Sequence, residues 1–521
     1  MMSGRMDDVQ MEHALKLSSK GYLHAALERF QNLLHSSTLT QSAQSLVYDE
    51  IGKILVQKNQ FAEARQAFAT ATTMAADLDH QAKCQIHLAM TFHAQGDYDR
   101  AYRLLIEIEN RFGPELFSAR RGVLFNNLAS IQWVTQFYRD AVQTMLQSLE
   151  YFERAGVNHY NSRLYYNLGV CYSDLREFDK AEMYIRKALL HADDEGQLFS
   201  YIALSRMYLG SGNYDLSIEY AMRSVPLFDK VPQTVEPLKT AYMCRILGEL
   251  AGHRGDLRLA QQLMEKAELQ FGLAGQWRDF TDARNRINEW RQAGLPKDAK
   301  PGDTTMMKRF LLIIEARNTQ EFICSKFAEF IDTRVMYTGE LADRLGLSAD
   351  DKAHLITAAR LADYGLTALD PDVVSAPRRS DSALRQYQQH PLLSAEMLRE
   401  LSLPEEIYAL IESHHERLDG TGYPRRSRAG LEDPAEVGSA QRHEGPEAAA
   451  ISRDTLESHD TLANRDTLEL SQFILQLSDA YADAVVLRQK SHCATLEELR
   501  TQQTAFDPRV MAEFERLFQA E

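Results

Sequence analysis

The chain has 521 residues, 44% of them apolar and 25% charged, the composition of ordinary globular protein divided into two to four domains. Its 58 basic and 74 acidic side chains leave a formal charge of −16, which excludes the basic footprint of a non-specific nucleic-acid binder. Five scattered cysteines with no Cys-x-x-Cys pair exclude a disulfide or zinc-ribbon framework, and no apolar run reaches the roughly 18 residues of a membrane span, so a reducing, cytoplasmic setting without a signal peptide is expected.

In chain order, residues 1–9 read as a tail and residues 10–291 repeat. Each unit carries a small or polar residue, then an aromatic or leucine, then alanine or serine three positions on. The marks are Tyr22 with Ala25, Phe61 with Ala64, Tyr98 with Ala101, Tyr138 with Ala141, Phe178 with Ala181, Tyr214 with Ser217 and Leu257 with Ala260. The first residues of these marks step by 39, 37, 40, 40, 36 and 43, and self-similarity at that period signals a helical solenoid. Each unit reads as two amphipathic helices, with small residues such as Gly169, Ala181 and Ala188 where the helices approach. The pattern resembles tetratricopeptide repeats, about seven helix pairs with irregular end pairs as caps. That resemblance implies a concave groove that holds a protein partner.

Residues 292–305 lose the period and gain glycine and proline, the mark of a linker. From 306 to 521 the pattern is helical without the repeat, so the expected fold class is all-α throughout. Residues 425–470 interrupt this second domain. They carry a six-residue repeat, Asp454-Thr455-Leu456, Asp460-Thr461-Leu462 and Asp466-Thr467-Leu468, and read as an inserted, flexible loop.

The chemistry gathers in the run His414-His415-Glu416-Arg417-Leu418-Asp419-Gly420-Thr421-Gly422-Tyr423-Pro424. Imidazole with carboxylate suits zinc, iron or manganese, and the glycines and proline fix a sharp loop. The run resembles the signature of the HD-GYP family, metal-dependent phosphohydrolases that cleave cyclic di-GMP, and the resemblance covers about residues 320–520. His390, His414, His415 and Asp479 fall on ligand positions of that family. Its His-Asp dipeptide falls on Ala362-Asp363, so Asp363, the bridging ligand and catalytic candidate, is kept while its histidine partner is lost. The family's lysine four residues on is Leu366, and the segment Phe330–Tyr337 holds no counterpart of a further upstream histidine.

The resemblance implies that Asp363, His390, His414, His415 and Asp479 bind metal, with Glu416, Asp419 and Asp483 behind them. It implies that Arg488, Lys490 and Arg425 meet a ligand phosphate. It also implies that Gly420, Gly422, Tyr423 and Pro424 form a contact loop for a partner such as a diguanylate cyclase domain. A methyl group at 362 cannot bind metal, and Leu366 cannot stabilise charge developing on a phosphoryl oxygen. What is left is a site for one divalent transition metal, iron or manganese, or a metal-free polar core. The expected function is a signalling protein of the HD-GYP type linked to cyclic di-GMP, with impaired or absent phosphodiesterase activity and protein binding through the repeats. The alternatives are an active metallo-phosphodiesterase in which water or a residue such as His354, His443 or His459 replaces the lost ligand, and a protein-interaction scaffold that binds no nucleotide.

Overall fold

The computed structural model describes residues 2–519 apart from 36–38, 158–160, 191, 229–236, 274–275, 295–300, 322, 324–325, 376–378, 402 and 425–458. Among the described residues there is no strand, and the fold is all-α. The chain divides into two compact units, Met1–Glu315 and Ala316–Gln519.

In the first unit, fourteen of the described helices form seven successive hairpins. The pairs are α1 (Met2–Ser19) with α2 (Leu23–His35), α3 (Gln41–Gln57) with α4 (Phe61–Met74), and α5 (Leu78–Ala94) with α6 (Tyr98–Phe112). There follow α7 (Ser118–Val134) with α8 (Tyr138–Ala155), α9 (Asn161–Asp174) with α10 (Phe178–Leu189), α11 (Asp194–Gly210) with α12 (Tyr214–Ser224), and α13 (Pro237–His253) with α14 (Leu257–Leu273). The helix expected to start near residue 10 begins at Met2, because no proline interrupts residues 2–19; the tail 1–9 is thus mostly helix.

One turn recurs in every hairpin and explains the sequence period. A residue in the left-handed region ends the first helix: Gly21, Asn59, Gly96, Gln136, Arg176, Gly212 and Gly255. The next N–H donates to the carbonyl five residues back, as from Gln60 to Leu55 at 2.8 Å and from Glu177 to Tyr172 at 2.9 Å, the C-cap closure that satisfies an orphan carbonyl. The second helix then starts on the aromatic, and the small residue three positions later is fully buried against the first helix, as at Ala64, Ala101, Ala141 and Ala181. The first repeat departs from the expected register. Tyr22 N–H donates to Leu17 and Ala26 N–H to Tyr22, so Leu23 with Ala26, rather than Tyr22 with Ala25, matches Phe61 with Ala64. An aromatic one position early disguised the match.

Close packing holds each hairpin. A Cβ added at Gly169 of α9 would lie 2.4 Å from Ile185 Cγ1 and 3.0 Å from the Ile185 nitrogen on α10. Only glycine permits that approach. Polar side chains also link successive hairpins. Asp174 accepts from Trp133 Nε1 at 2.8 Å and from Arg206 at 3.0 Å, and Asp279 accepts from Arg245. After the hairpins, α15 (Trp277–Ala293) packs on α14. At its start, Gln276 and Arg278 reach the Tyr98 and Tyr138 hydroxyls at 3.4 and 3.3 Å, across 178 and 140 residues of sequence.

The boundary falls inside a helix. In α16 (Thr305–Glu321), Met307, Phe310, Leu311 and Ile314 are buried in the core of the last repeats, so the first unit runs to 315 rather than ending at the 292–305 segment. Apolar burial, not composition, sets this division.

The second unit contains α17 (Phe327–Arg344), α18 (Ala349–Leu361), the short α19 (Pro371–Ser375) and α20 (Asp381–Tyr387), α21 (His390–Met397) and α22 (Glu405–Ser413). It closes with α23 (His459–Ala482), a π-helical turn at Asp483–Leu487, α24 (His492–Thr501) and α25 (Pro508–Arg516). Helices α17, α18 and α22 pack around α23, and Tyr337, Tyr481, His492, Phe514 and Phe518 stack in one aromatic cluster. Residues 459–470, expected as part of a flexible loop, are the first turns of α23. Their Asp-Thr-Leu repeats look like solvated loop, but the buried run from Phe473 to Leu477 nucleates a helix that propagates back through them. The rest of the expected insert, residues 425–458, and with it Arg425 and His443, lies outside the described residues.

Candidate metal centre

Five chain segments converge on one buried point. Asp363 follows the C-terminal end of α18, and His390 opens α21. His414 caps α22, with His415 next, and Asp479 lies in the last turn of α23. The fifth contributor is Arg334, in the middle of α17. Ligand atoms of Asp363, His390, His414 and His415 all lie within 4.8 Å of one another.

Local features set these positions. A Cβ at Gly365 would lie 2.4 Å from the His390 carbonyl oxygen, so glycine lets the turn after Asp363 press onto the start of α21. Ser394 clamps the same contact: its hydroxyl donates to the Ala362 carbonyl at 2.6 Å and accepts from Gly365 N–H at 2.7 Å. Gly422 does the same beyond His415, where a Cβ would meet the His415 carbonyl oxygen at 2.3 Å. Tyr423 N–H donates to that carbonyl at 3.0 Å, and its ring lies 4.7 Å from the His415 ring.

The imidazoles are oriented for a cation. His390 Nδ1 donates to the Tyr387 carbonyl at 2.8 Å, and His414 Nδ1 to the Ile411 carbonyl at 2.6 Å. That tautomer leaves a lone pair on each Nε2. The two Nε2 atoms face each other at 3.3 Å, and Asp363 Oδ1 stands 3.4 Å from the first and 3.9 Å from the second. His415 Nε2 is buried without a hydrogen-bond partner. Two converging lone pairs and an orphaned nitrogen beside a carboxylate are unfavourable alone and favourable around a positive ion, so the set fits a borderline transition metal. Burial holds the His390 and His415 pKa values below the usual range, which keeps the rings neutral and able to ligate. Burial works to raise Asp363, but the Arg334 guanidinium beside it prevails and holds its carboxyl well below the usual carboxylate range.

Asp479 stands beside this cluster. Its Oδ1 accepts from Arg334 and its Oδ2 lies 3.5 Å from His415 Nδ1. Ala362 and Leu366, at the positions of the absent His and Lys, are buried and apolar.

Other expected residues are placed differently. Asp419 is exposed and accepts from the N–H and hydroxyl of Thr421 at 2.9 and 2.6 Å, so it shapes the loop rather than backing a ligand. Glu416 is half-buried in the turn after the histidines. Asp483 pairs with Arg488 at 2.6 Å. Arg488 and Lys490 both pair with Glu498, so the two cations expected to meet phosphate already have carboxylate partners. Tyr423 turns in over His415, whereas Gly420 stays exposed at the tip. His354 lines a separate cavity of about 150 Å³ with Asp351, Glu406 and Leu410, away from the four ligands.

Arg334 and Ser394 were missed. The signal for Arg334 was periodicity: positions 327, 330, 331, 334, 337, 338 and 341 form the buried stripe of α17, and only 334 carries a charge. Ser394 gave no signal, because its role depends on two backbone groups distant in sequence.

Comparison with known proteins agrees with this architecture. Residues 318–430 match the HD domain family, and residues 120–189 and 46–78 match tetratricopeptide repeat families. A stretch of 117 residues is 31% identical to the 3'3'-cGAMP-specific phosphodiesterase 3 of Vibrio cholerae, covering 20% of this chain and 25% of the relative. The chain therefore matches a quarter of that protein's length. Similar solved structures include PilF of Pseudomonas aeruginosa, 14% identical over 44% of this chain and 96% of that one with a TM-score of 0.34. Another is RapI in its apo form, 13% identical over 55% and 99% with a TM-score of 0.40. No helix among the described residues is long and apolar enough to cross a membrane. The chain joins tetratricopeptide repeats to an HD domain with a histidine–aspartate cluster able to hold a metal ion.

Proposed function

We propose that this is a signalling protein in which a degenerate HD-GYP-type domain holds one divalent ion, iron or manganese, and responds to a cyclic dinucleotide while turning it over slowly or not at all. The repeats bind a protein partner. The observation that carries this reading is the contrast inside the site. Three imidazoles and one carboxylate oxygen converge, whereas Ala362 and Leu366 put apolar surface where a further ligand and a phosphate-binding cation belong.

When bound, a divalent ion supplies Lewis acidity and a water of lowered pKa. The chain's own residues do the rest. His390 and His414, tethered by their Nδ1 protons, present lone pairs, and Asp363 supplies negative charge through Oδ1. Tyr423 covers His415 and limits water there. Leu366 offers no charge to a phosphoryl oxygen, and Arg488 and Lys490 are spent on Glu498, so transition-state stabilisation is weak. The name of the Vibrio cholerae relative favours 3'3'-cGAMP as the ligand, and the resemblance to the HD-GYP family favours cyclic di-GMP. The exposed tip at Leu418–Thr421, rather than Tyr423, is the side a partner domain such as a diguanylate cyclase would meet.

The test combines elemental analysis, calorimetry with both cyclic dinucleotides, and a turnover assay with Mn²⁺ or Fe²⁺. One ion per chain, measurable binding and negligible hydrolysis are expected. Turnover at an ordinary enzymatic rate, on the order of 1–10 s⁻¹, would refute the degenerate reading. Absence of nucleotide binding would leave the scaffold alternative.

A further inference from the structure

We infer that Arg334 is the site's second cation: its guanidinium fills a seat between Asp363 and Asp479 and restricts the centre to a single metal ion. The inference rests on the metal reading above.

The geometry is specific. Arg334 is fully buried, the largest such side chain among the described residues. One nitrogen, Nη1, donates to Asp363 Oδ2 and to Asp479 Oδ1, both at 2.6 Å. It joins carboxylates from two chain segments as a bridging ion would. Its Nε donates to the Ala359 carbonyl at 2.9 Å, and the guanidinium carbon lies 4.8 Å from the centre of the Phe330 ring. These contacts pin the fork from three sides.

The consequence is a division of labour in Asp363. Oδ2 is held by Arg334, and Oδ1 is left to the imidazoles. A metal ion binding both carboxylates on the Oδ2 side would need to sit about 2.0–2.2 Å from each oxygen, inside the space that Nη1 occupies. It would also face a guanidinium that stays protonated at any accessible pH. Arg334 thus supplies charge without an exchangeable position: it offsets one of the two negative charges of the carboxylate pair but cannot carry a hydroxide or accept a phosphoryl oxygen as a ligand. It is a positioning residue, acting through Asp363.

The experiment is elemental analysis of the full-length protein after loading with Mn²⁺ and desalting, alongside Arg334→Gln, Arg334→His and Arg334→Lys, with circular dichroism as a check of folding. The expected count is one Mn per chain in the wild type, two in the Gln and His variants, and one in the Lys variant, which keeps a positive charge in the seat. Two ions in the wild type, or no gain over the wild type in both neutral variants, would overturn the inference. Failure of both neutral variants to fold with Mn²⁺ present would overturn it too, because a second ion would supply the missing charge. If the wild type holds no ion, the metal reading itself fails. A gain of one ion in the neutral variants would then still uphold the seat beneath Arg334, and no gain would end it.

Discussion

Substituting Gly169 by alanine sets two effects against each other. Alanine in a helix interior is favoured over glycine by roughly 0.5–1 kcal/mol. The new Cβ would also lie 2.4 Å from Ile185 Cγ1, 3.0 Å from Ile185 N and 3.1 Å from Ala181 O. The side chain can rotate away, but the two backbone atoms cannot, so α9 and α10 must separate. Overpacking of this kind costs about 1–3 kcal/mol, and two backbone contacts place it at the upper end. The expected net loss is about 2 kcal/mol. Cys171 lies on the same helix, fully buried, and reports local opening. Where reclosing outruns labelling, its alkylation rate follows the open population. A loss of about 2 kcal/mol makes labelling of the Cys171 peptide roughly 30-fold faster by mass spectrometry. Exposed Cys493 serves as the internal standard. Unchanged or slower labelling would mean that propensity outweighs the contact and would refute the packing argument.

Burial lowers the pKa of His93, near the end of α5, to about 4. The unfolded chain takes up this proton near pH 6.5 and the folded chain near 4, so stability is complete above pH 6.5 and falls by at most about 3 kcal/mol as pH drops to 4. His93→Phe should flatten the thermal midpoint over that window, and an unchanged slope would count against burial as the cause. Gln136 is exposed with φ near 70°, so Gln136→Gly should stabilise by about 0.5 kcal/mol, whereas Gly96→Ala, at φ 79°, should destabilise by about 1 kcal/mol; equal thermal midpoints for both variants would contradict the turn argument. His414→Ala removes one of the two facing lone pairs, and its metal content should fall to zero. The stabilisation by Mn²⁺, about 2.7 kcal/mol at a hundredfold excess over Kd and read as a rise in melting temperature, should vanish with it, and a retained rise would place the ion elsewhere.

Legibility in the sequence followed the range of the interaction that carries each feature. The repeat could be read because each hairpin is closed by local bonds, and the same turn places the same residue types every 36 to 43 positions. Tyr22 misled because local chemistry tolerates an aromatic one position early. The helix over 459–470 was hidden because polar Asp-Thr-Leu repeats carry no apolar period, and only attachment to the buried stretch beyond them decides their state. The histidines and Asp363 could be read from motif spacing. The pairing of Arg488 and Lys490 with Glu498 could not, since it depends on how α24 folds back beside the π-helical turn.

The sequence by itself determined the all-helical class, the hairpin period, the ligand-type residues and the apolar substitutions at Ala362 and Leu366, since each is a matter of residue identity and local spacing. Tertiary structure alone decided that the two oxygens of Asp363 face different partners. Arg334 lies 29 residues from Asp363 and 145 from Asp479, and no local rule relates them. The burial that brings the three together also makes an unpaired charge costly there, and that is the physical reason the site's electrostatics had to wait for the fold.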